Sequence, residues 1–385
     1  MTDNTDYTIL IGAEESLPPL TLGGSSSGST VVANGKTGVK ITLKGKGAER
    51  RVQISAAGSL FTIKSGVTLV LNENITLGGI SNNSASLVRV DGGSLEMREN
   101  AKITGNTASS SSGGGVFVSS SGTFTMNDSA TVSGNTASSS SSFSSSSGGG
   151  VFVSSSGTFT MNDSATVSGN TASPSPSSSS SGGGVYVSSS GTFTMNDSAT
   201  VSGNTASSSS SYSSSGGGVY SGGTFTMNDS ATVSGNTASS SSYSSSYGGG
   251  GVYSSGTFTM NDSATVSGNT VSSSSSSSSY GGGVYVSSGT FTMNNSAIVS
   301  GNTVSSSYSY SYSYGGGVYV SSATFTMRGG TVYGSDGGAN ANKLVGSGTK
   351  QGVSLYDSTG NAKYGNGSYI FFGTLYTDAT LTGHN

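Results

Sequence analysis

Apolar and polar residues alternate along this chain in short runs. Within residues 113–137 (GGGVFVSSSGTFTMNDSATVSGNTA), Val116 and Val118 flank Phe117. Phe124 and Met126 alternate with Thr123 and Thr125, and Ala130 and Val132 alternate with Thr131 and Ser133. A period of two marks a strand with one buried face. Ser-Ser-Ser-Gly and Asn-Asp-Ser separate the runs, and both are turn-forming. No run has the 3.6-residue spacing of a helix, and successive glycines oppose one. The unit is therefore expected to hold three strands and three turns.

The unit returns, lightly edited, from Gly148, Gly182, Gly216, Gly248, Gly281 and Gly315, with aligned valines 32 to 35 residues apart, and loosens after Met327. Such a period signals stacked repeats. The expected fold is all-β: a parallel β-helix (β-solenoid) with three strands per coil and about ten coils, each stacked ~4.8 Å from the next. Serine tracts such as 138–147, 272–279 and 305–314 change length while the unit does not, so they are expected as loops at one corner. A propeller blade would need ~40–45 residues and four strands.

Residues 87–106 (LVRVDGGSLEMRENAKITGN) align as an earlier, degenerate coil. Arg89 stands at the Phe117 position, Glu96 at Thr125 and Lys102 at Thr131. Charges sit where side chains meet water, so these positions should face out and Val116, Val118, Phe124, Met126, Ala130 and Val132 should face in. The chain then divides into an entry strand and cap (1–30), irregular coils (31–106), near-identical repeats (107–327) and C-terminal coils (328–385). Asparagines of the recurrent Gly-Asn-Thr can hydrogen-bond along a column. A turn residue tolerant of the left-handed region accounts for them equally. Tyr369, Phe371, Phe372 and Tyr376 make an aromatic last layer, to be read as an end-to-end assembly surface or as a cap.

Composition narrows the function. Only 8% of residues are charged, against ~25% in average domains. Between Lys102 and Arg328 there is no Lys or Arg, and the only charges are five aspartates. A nucleic-acid partner needs a basic surface and is not expected. Without cysteine there is no disulfide or thiolate site. No apolar stretch is long enough for a transmembrane segment, and residues 1–10 lack the basic and apolar regions of a secretory signal.

Catalysis on a β-helix needs paired carboxylates or clustered Asp, Lys, Arg or His. The sole histidine is His384, and no repeat offers more than one aspartate, so neither an enzyme nor a bound cofactor is expected. Stacking would hold Asp128, Asp163, Asp197, Asp229 and Asp262 ~5 Å apart, a spacing that suits Ca²⁺ between neighbouring carboxylates. A solvated Asn-Asp turn explains the same column. Three outward ladders remain. One is aromatic: Phe117, Phe152, Tyr186, Tyr220, Tyr253, Tyr285 and Tyr319. Another is the serine loops, which end in Tyr308, Tyr310, Tyr312 and Tyr314. Tyrosine rows suit stacking on sugars or protein, and serine-rich tracts have the composition of O-glycosylated segments. The third is a Thr-x-Thr grid, ~6.7 Å along the strand by ~4.8 Å between coils. It resembles the ice-binding faces of β-solenoid antifreeze proteins, although strand propensity alone favours threonine.

The pairing of Val-Ser-Gly-Asn (132–135) with Gly-Gly-Gly-Val (148–151) resembles the FxxN and GGAI repeats of polymorphic outer-membrane proteins, over roughly residues 86–327. These are autotransporter-type bacterial surface adhesins. Val132 replaces the family's Phe and Val116 its Ile. The resemblance implies a right-handed helix, as chain chirality also favours, and an extracellular or cell-surface location. It further implies an adhesin-like structural role, with self-association, glycans or a neighbouring cell as partners.

Overall fold

A computed structural model describes residues 1–25, 31–109, 112–139, 145–154, 156–174, 179–208, 213–240, 248–274, 278–308, 311–334, 337–347, 349–351, 355–357, 370–371 and 374–375. Each repeat contributes one strand to each of three parallel sheets, and each of these sheets is twelve strands long. In the first full repeat, Val116–Ser119 lies in sheet I, Thr123–Met126 in sheet II and Thr131–Ser133 in sheet III. The chain is a β-solenoid with three principal strands per coil, as the alternation predicts.

Register is one of identity. Phe124 pairs with Phe159, Met126 with Met161 and Val132 with Val167, and the sequence continues so up the stack. The buried face is the one assigned from the pattern: Val116, Val118, Phe124, Met126, Ala130 and Val132 are fully buried, and so are their equivalents. The core phenylalanines stack with ring centres 4.7–4.9 Å apart from Phe124 to Phe325. Burying each contributes about 1.5–3 kcal/mol. Arg89, Glu96 and Lys102 pair with Phe117, Thr125 and Thr131. The Arg89 guanidinium lies 4.6 Å over the Phe117 ring. In the N-terminal rungs, charges pair between rungs, Lys44 with Glu73, Lys64 with Asp91 and Lys102 with Glu49.

The described flanks of the serine tracts are strands. After Gly-Asn, Thr136–Ser139 and its equivalents make a fourth parallel sheet of eight strands. Its Ala137 column is buried, and Ala238, Val271, Val304 and Leu344 form a small separate core. Short return strands pair beside it: Ser146–Ser147, Ser180–Ser181 and Ser214–Ser215, then Ser279–Tyr280, Tyr312–Tyr314 and Thr349–Gln351. The tract thus leaves the solenoid as one strand and returns as another, giving a fin along one corner. The alternation behind it, Thr-Ala-Ser-Ser, is too short and too polar to read as a strand from sequence.

The triple glycine closes the neck of this fin. Gly148 sits at φ +65°, in the left-handed region. A Cβ on Gly149 would lie 2.5 Å from the Thr171 carbonyl carbon, and one on Gly150 2.9 Å from Asn170 Nδ2. Outgoing and returning backbones meet there with no room for a side chain. In the copy beginning Gly248, the left-handed position is Gly249, so the extra glycine precedes the structural unit.

Beneath the neck runs the asparagine column. Asn83, Asn106, Asn135, Asn170, Asn204, Asn236, Asn269, Asn302 and Asn342 are all fully buried. Asn170 Oδ1 accepts from the Asn135 amide N–H (3.0 Å) and Nδ2 (3.2 Å), while Asn170 Nδ2 donates to Asn204 Oδ1 and to the Val132 carbonyl, both at 3.0 Å. The hydrogen-bonded column, not a left-handed turn, explains the residue.

Of residues 1–30, expected as an entry strand and cap, 1–25 are described. Asp6–Ile11, Glu15–Leu17 and Leu20–Leu22 pair in parallel with the second coil, so they are themselves a first rung. Their alternating apolar residues belong to the stack. At the far end, Leu355–Asp357, Ile370–Phe371 and Thr374–Leu375 finish sheets I, II and III.

Candidate functional surfaces

Sheet I carries the aromatic column outward, in register from Phe117 to Tyr319. From Phe117 through Tyr253 the rings stack face to face, 4.7–5.2 Å apart. Tyr285 then turns edge-on, 5.0 Å from Tyr253 and 4.9 Å from Tyr319. The cause is Tyr280 on the fin's return strand, whose ring centre lies 5.9 Å from Tyr285, 4.7 Å from Tyr319 and 5.3 Å from Tyr314.

The column is therefore not the bare row of rings that the sequence suggests. Tyr285 and Tyr319 are only 6% exposed, and Tyr186, Tyr220 and Tyr253 are half-buried. Burial, with Tyr220 adjacent, pushes the Tyr186 phenol up to about 12. Burial also raises Tyr220, against the opposing effect of a hydrogen bond with Ser255. Open phenols lie higher on the fin: Tyr308 and Tyr312 are 43% and 44% exposed, and Tyr314 is half-buried with its ring 5.8 Å from Tyr312. Tyr310 lies outside the described residues. Beside the fin runs an open trough of about 480 Å³ lined entirely by serines, among them Ser207, Ser239 and Ser272.

The aspartate column serves the turn. Asp128, Asp163, Asp197, Asp229 and Asp262 all adopt φ between +53° and +56°. Each carboxylate accepts a backbone amide from the rung before it, Asp163 from Asp128 at 3.0 Å and Asp197 from Asp163 at 3.1 Å. Asn295 keeps the turn and donates to Asp262 Oδ1 at 2.9 Å. One carboxylate oxygen per rung is thus engaged by the backbone, and no group of three His, Cys, Asp or Glu side chains converges among the described residues. Beside the aspartates, Asn127, Asn162, Asn196, Asn228, Asn261 and Asn294 form a second hydrogen-bonded column at 2.7–2.8 Å. The recurring Asn-Asp could have pointed to it, but the dipeptide also reads as a plain turn.

Sheet II presents the threonine grid, and its hydroxyls are open. Among the described residues only Thr123 has a side-chain partner, Ser94 Oγ at 2.8 Å. On sheet III, by contrast, Thr131, Thr166, Thr200, Thr232 and Thr265 donate to a serine carbonyl two residues back, at 3.1–3.3 Å. The fin springs from the corner between sheets III and I, away from the grid.

Of the candidate assembly residues, Phe371 falls in a strand of sheet II opposite Met327. Tyr369, Phe372 and Tyr376 lie outside the described residues. No helix among the described residues is long and apolar enough to cross a membrane. Compared with known proteins, the chain matches no family model, no curated protein and no solved structure, so its functional reading rests on these surfaces.

Proposed function

We propose that the chain is a non-catalytic, adhesin-like structural rod of the bacterial cell surface or exterior, which extends by stacking end on end and displays its serine and tyrosine fin to partners. The observation that carries this reading is the apolar face of the N-terminal rung. At the N-terminal end, Ile9 and Leu10 are exposed, and an apolar hollow of about 130 Å³ opens between residues such as Ile11, Leu17 and Val32. Among the described residues, the three sheets run from this rung to Leu355–Asp357, Ile370–Phe371 and Thr374–Leu375. Open parallel edges accept further strands. A second copy supplies the matching edges, and a contact between unlike ends does not close on itself, so it gives filaments.

Electron microscopy across a concentration series tests this, with Ile9→Lys as the control. Uniform filaments that lengthen with concentration and are lost in the variant are expected. Discrete short rods at every concentration would remove end-to-end stacking, and glycan arrays would then test the fin alone.

A second reading, ice binding, is favoured by the open hydroxyls on sheet II. It predicts inhibition of ice recrystallisation that Thr194→Lys with Thr226→Lys abolishes. Equal behaviour of the wild type and an inert protein would dismiss it.

A further inference from the structure

We infer that the tyrosine column is a relay for one-electron oxidation, which delivers oxidising equivalents to the exposed phenols of the fin, where two copies of the chain become joined by a dityrosine bond. The path is continuous. Tyr186, Tyr220, Tyr253 and Tyr285 follow one another at ring-centre distances of 4.8, 4.7 and 5.0 Å. From Tyr285 it passes to Tyr319 at 4.9 Å and to Tyr280 at 5.9 Å, then to Tyr314 at 5.3 Å from Tyr280, and to Tyr312 at 5.8 Å. Every step joins near neighbours of one chemical kind, so the electron vacancy moves between groups of similar potential.

The direction follows from burial. A phenol that gives up an electron becomes strongly acidic and must shed its proton. The inner rings hold theirs where water is scarce, as the raised Tyr186 shows. Tyr312 and Tyr308 stand in water that takes the proton. The chain has no tryptophan and no cysteine to compete as sinks, and the methionines of the stack, Met126 to Met327, are fully buried.

The chemistry balances with a peroxide and a haem peroxidase, or another one-electron oxidant. Each copy loses one electron and one proton from a phenol, giving a neutral phenoxyl. Two phenoxyls couple carbon to carbon at ring positions ortho to oxygen, and the two displaced ring hydrogens return to the oxygens. In sum, two phenols give one biphenol, while one hydrogen peroxide takes up two electrons and two protons to give two waters. Coupling needs only that two fins meet, so the inference stands apart from end-to-end stacking.

The absence of cysteine allows a direct test. A ruthenium polypyridyl photo-oxidant is attached at Ser189→Cys, an exposed turn position three residues beyond Tyr186, with persulfate as electron acceptor. On illumination, covalent dimers with dityrosine fluorescence are expected, and fragment mass spectra should place the bond at Tyr308 or Tyr312. Tyr253→Phe keeps a ring in the column, as Phe152 does, but breaks the relay, and should lose the dimers while circular dichroism is unchanged. Tyr308→Phe with Tyr312→Phe should lose them too. Dimers joined through any other tyrosine, or dimers undiminished in Tyr253→Phe, would overturn the inference.

Discussion

Asn204 shows how much one side chain holds in this stack. Its Oδ1 accepts the Asn170 amide N–H at 2.9 Å and Asn170 Nδ2 at 3.0 Å, and its Nδ2 donates to the Val167 carbonyl and Asn236 Oδ1. Asn204→Ala leaves several buried polar groups unpaired, and should cost about 3 kcal/mol, read from the urea midpoint. Ser254 is the opposite case. It is fully buried in a column that holds Val187 and Val286, and its hydroxyl has no partner among the described residues. Ser254→Val should stabilise by roughly 1 kcal/mol and raise the melting temperature. Tyr186 gives a pH dependence. Its folded pKa of about 12 lies above the ordinary tyrosine value of 10.0, so between these values the folded chain keeps a proton that the unfolded chain has lost. This contribution to stability is complete below pH 10 and falls away as pH rises towards 12. Melting temperature against pH, compared with Tyr186→Phe, should show a shallower alkaline decline in the variant.

At the scale of the element, the neck of the fin sets the sharpest constraint. A Cβ on Gly217 would lie 2.4 Å from the Thr237 carbonyl carbon and 2.5 Å from the Gly250 oxygen, both backbone atoms that cannot swing aside. Gly217→Ala should cost about 1–3 kcal/mol, with hydrogen exchange accelerated in that rung and its neighbours first. The principal strands were legible because each alternates an apolar residue with one that the degenerate coil replaces by a charge. Arg89, Glu96 and Lys102 mark the outward face in the sequence itself. The fin was not legible, since Thr136–Ser139 offers a single alanine as its apolar mark. The covering of Tyr285 and Tyr319 was hidden for the same reason: it depends on where the return strand places Tyr280, and a run of serines does not encode that visibly. The asparagine column was half legible. Recurrence marked the residue, but only the paired amides separate a ladder from a turn.

Across the whole molecule, each rung touches little besides the rung before and the rung after, so stability is close to a sum of like terms. Excision of residues 216–248 joins Ser215 to Gly249 and puts Tyr186 beside Tyr253, a pairing like those already present. The shortened chain should fold with an unchanged circular dichroism spectrum, and small-angle scattering should show a rod shorter by ~4.8 Å. Aggregation or loss of β signal would show that the rungs are not interchangeable. The identical registers carry a consequence for inheritance. When a coding repeat is lost or duplicated by unequal recombination, both new junctions match contacts the protein already makes. Such changes yield working rods of altered length, so populations are expected to carry alleles graded in whole rungs, with length free to drift or be selected while the cross-section stays fixed.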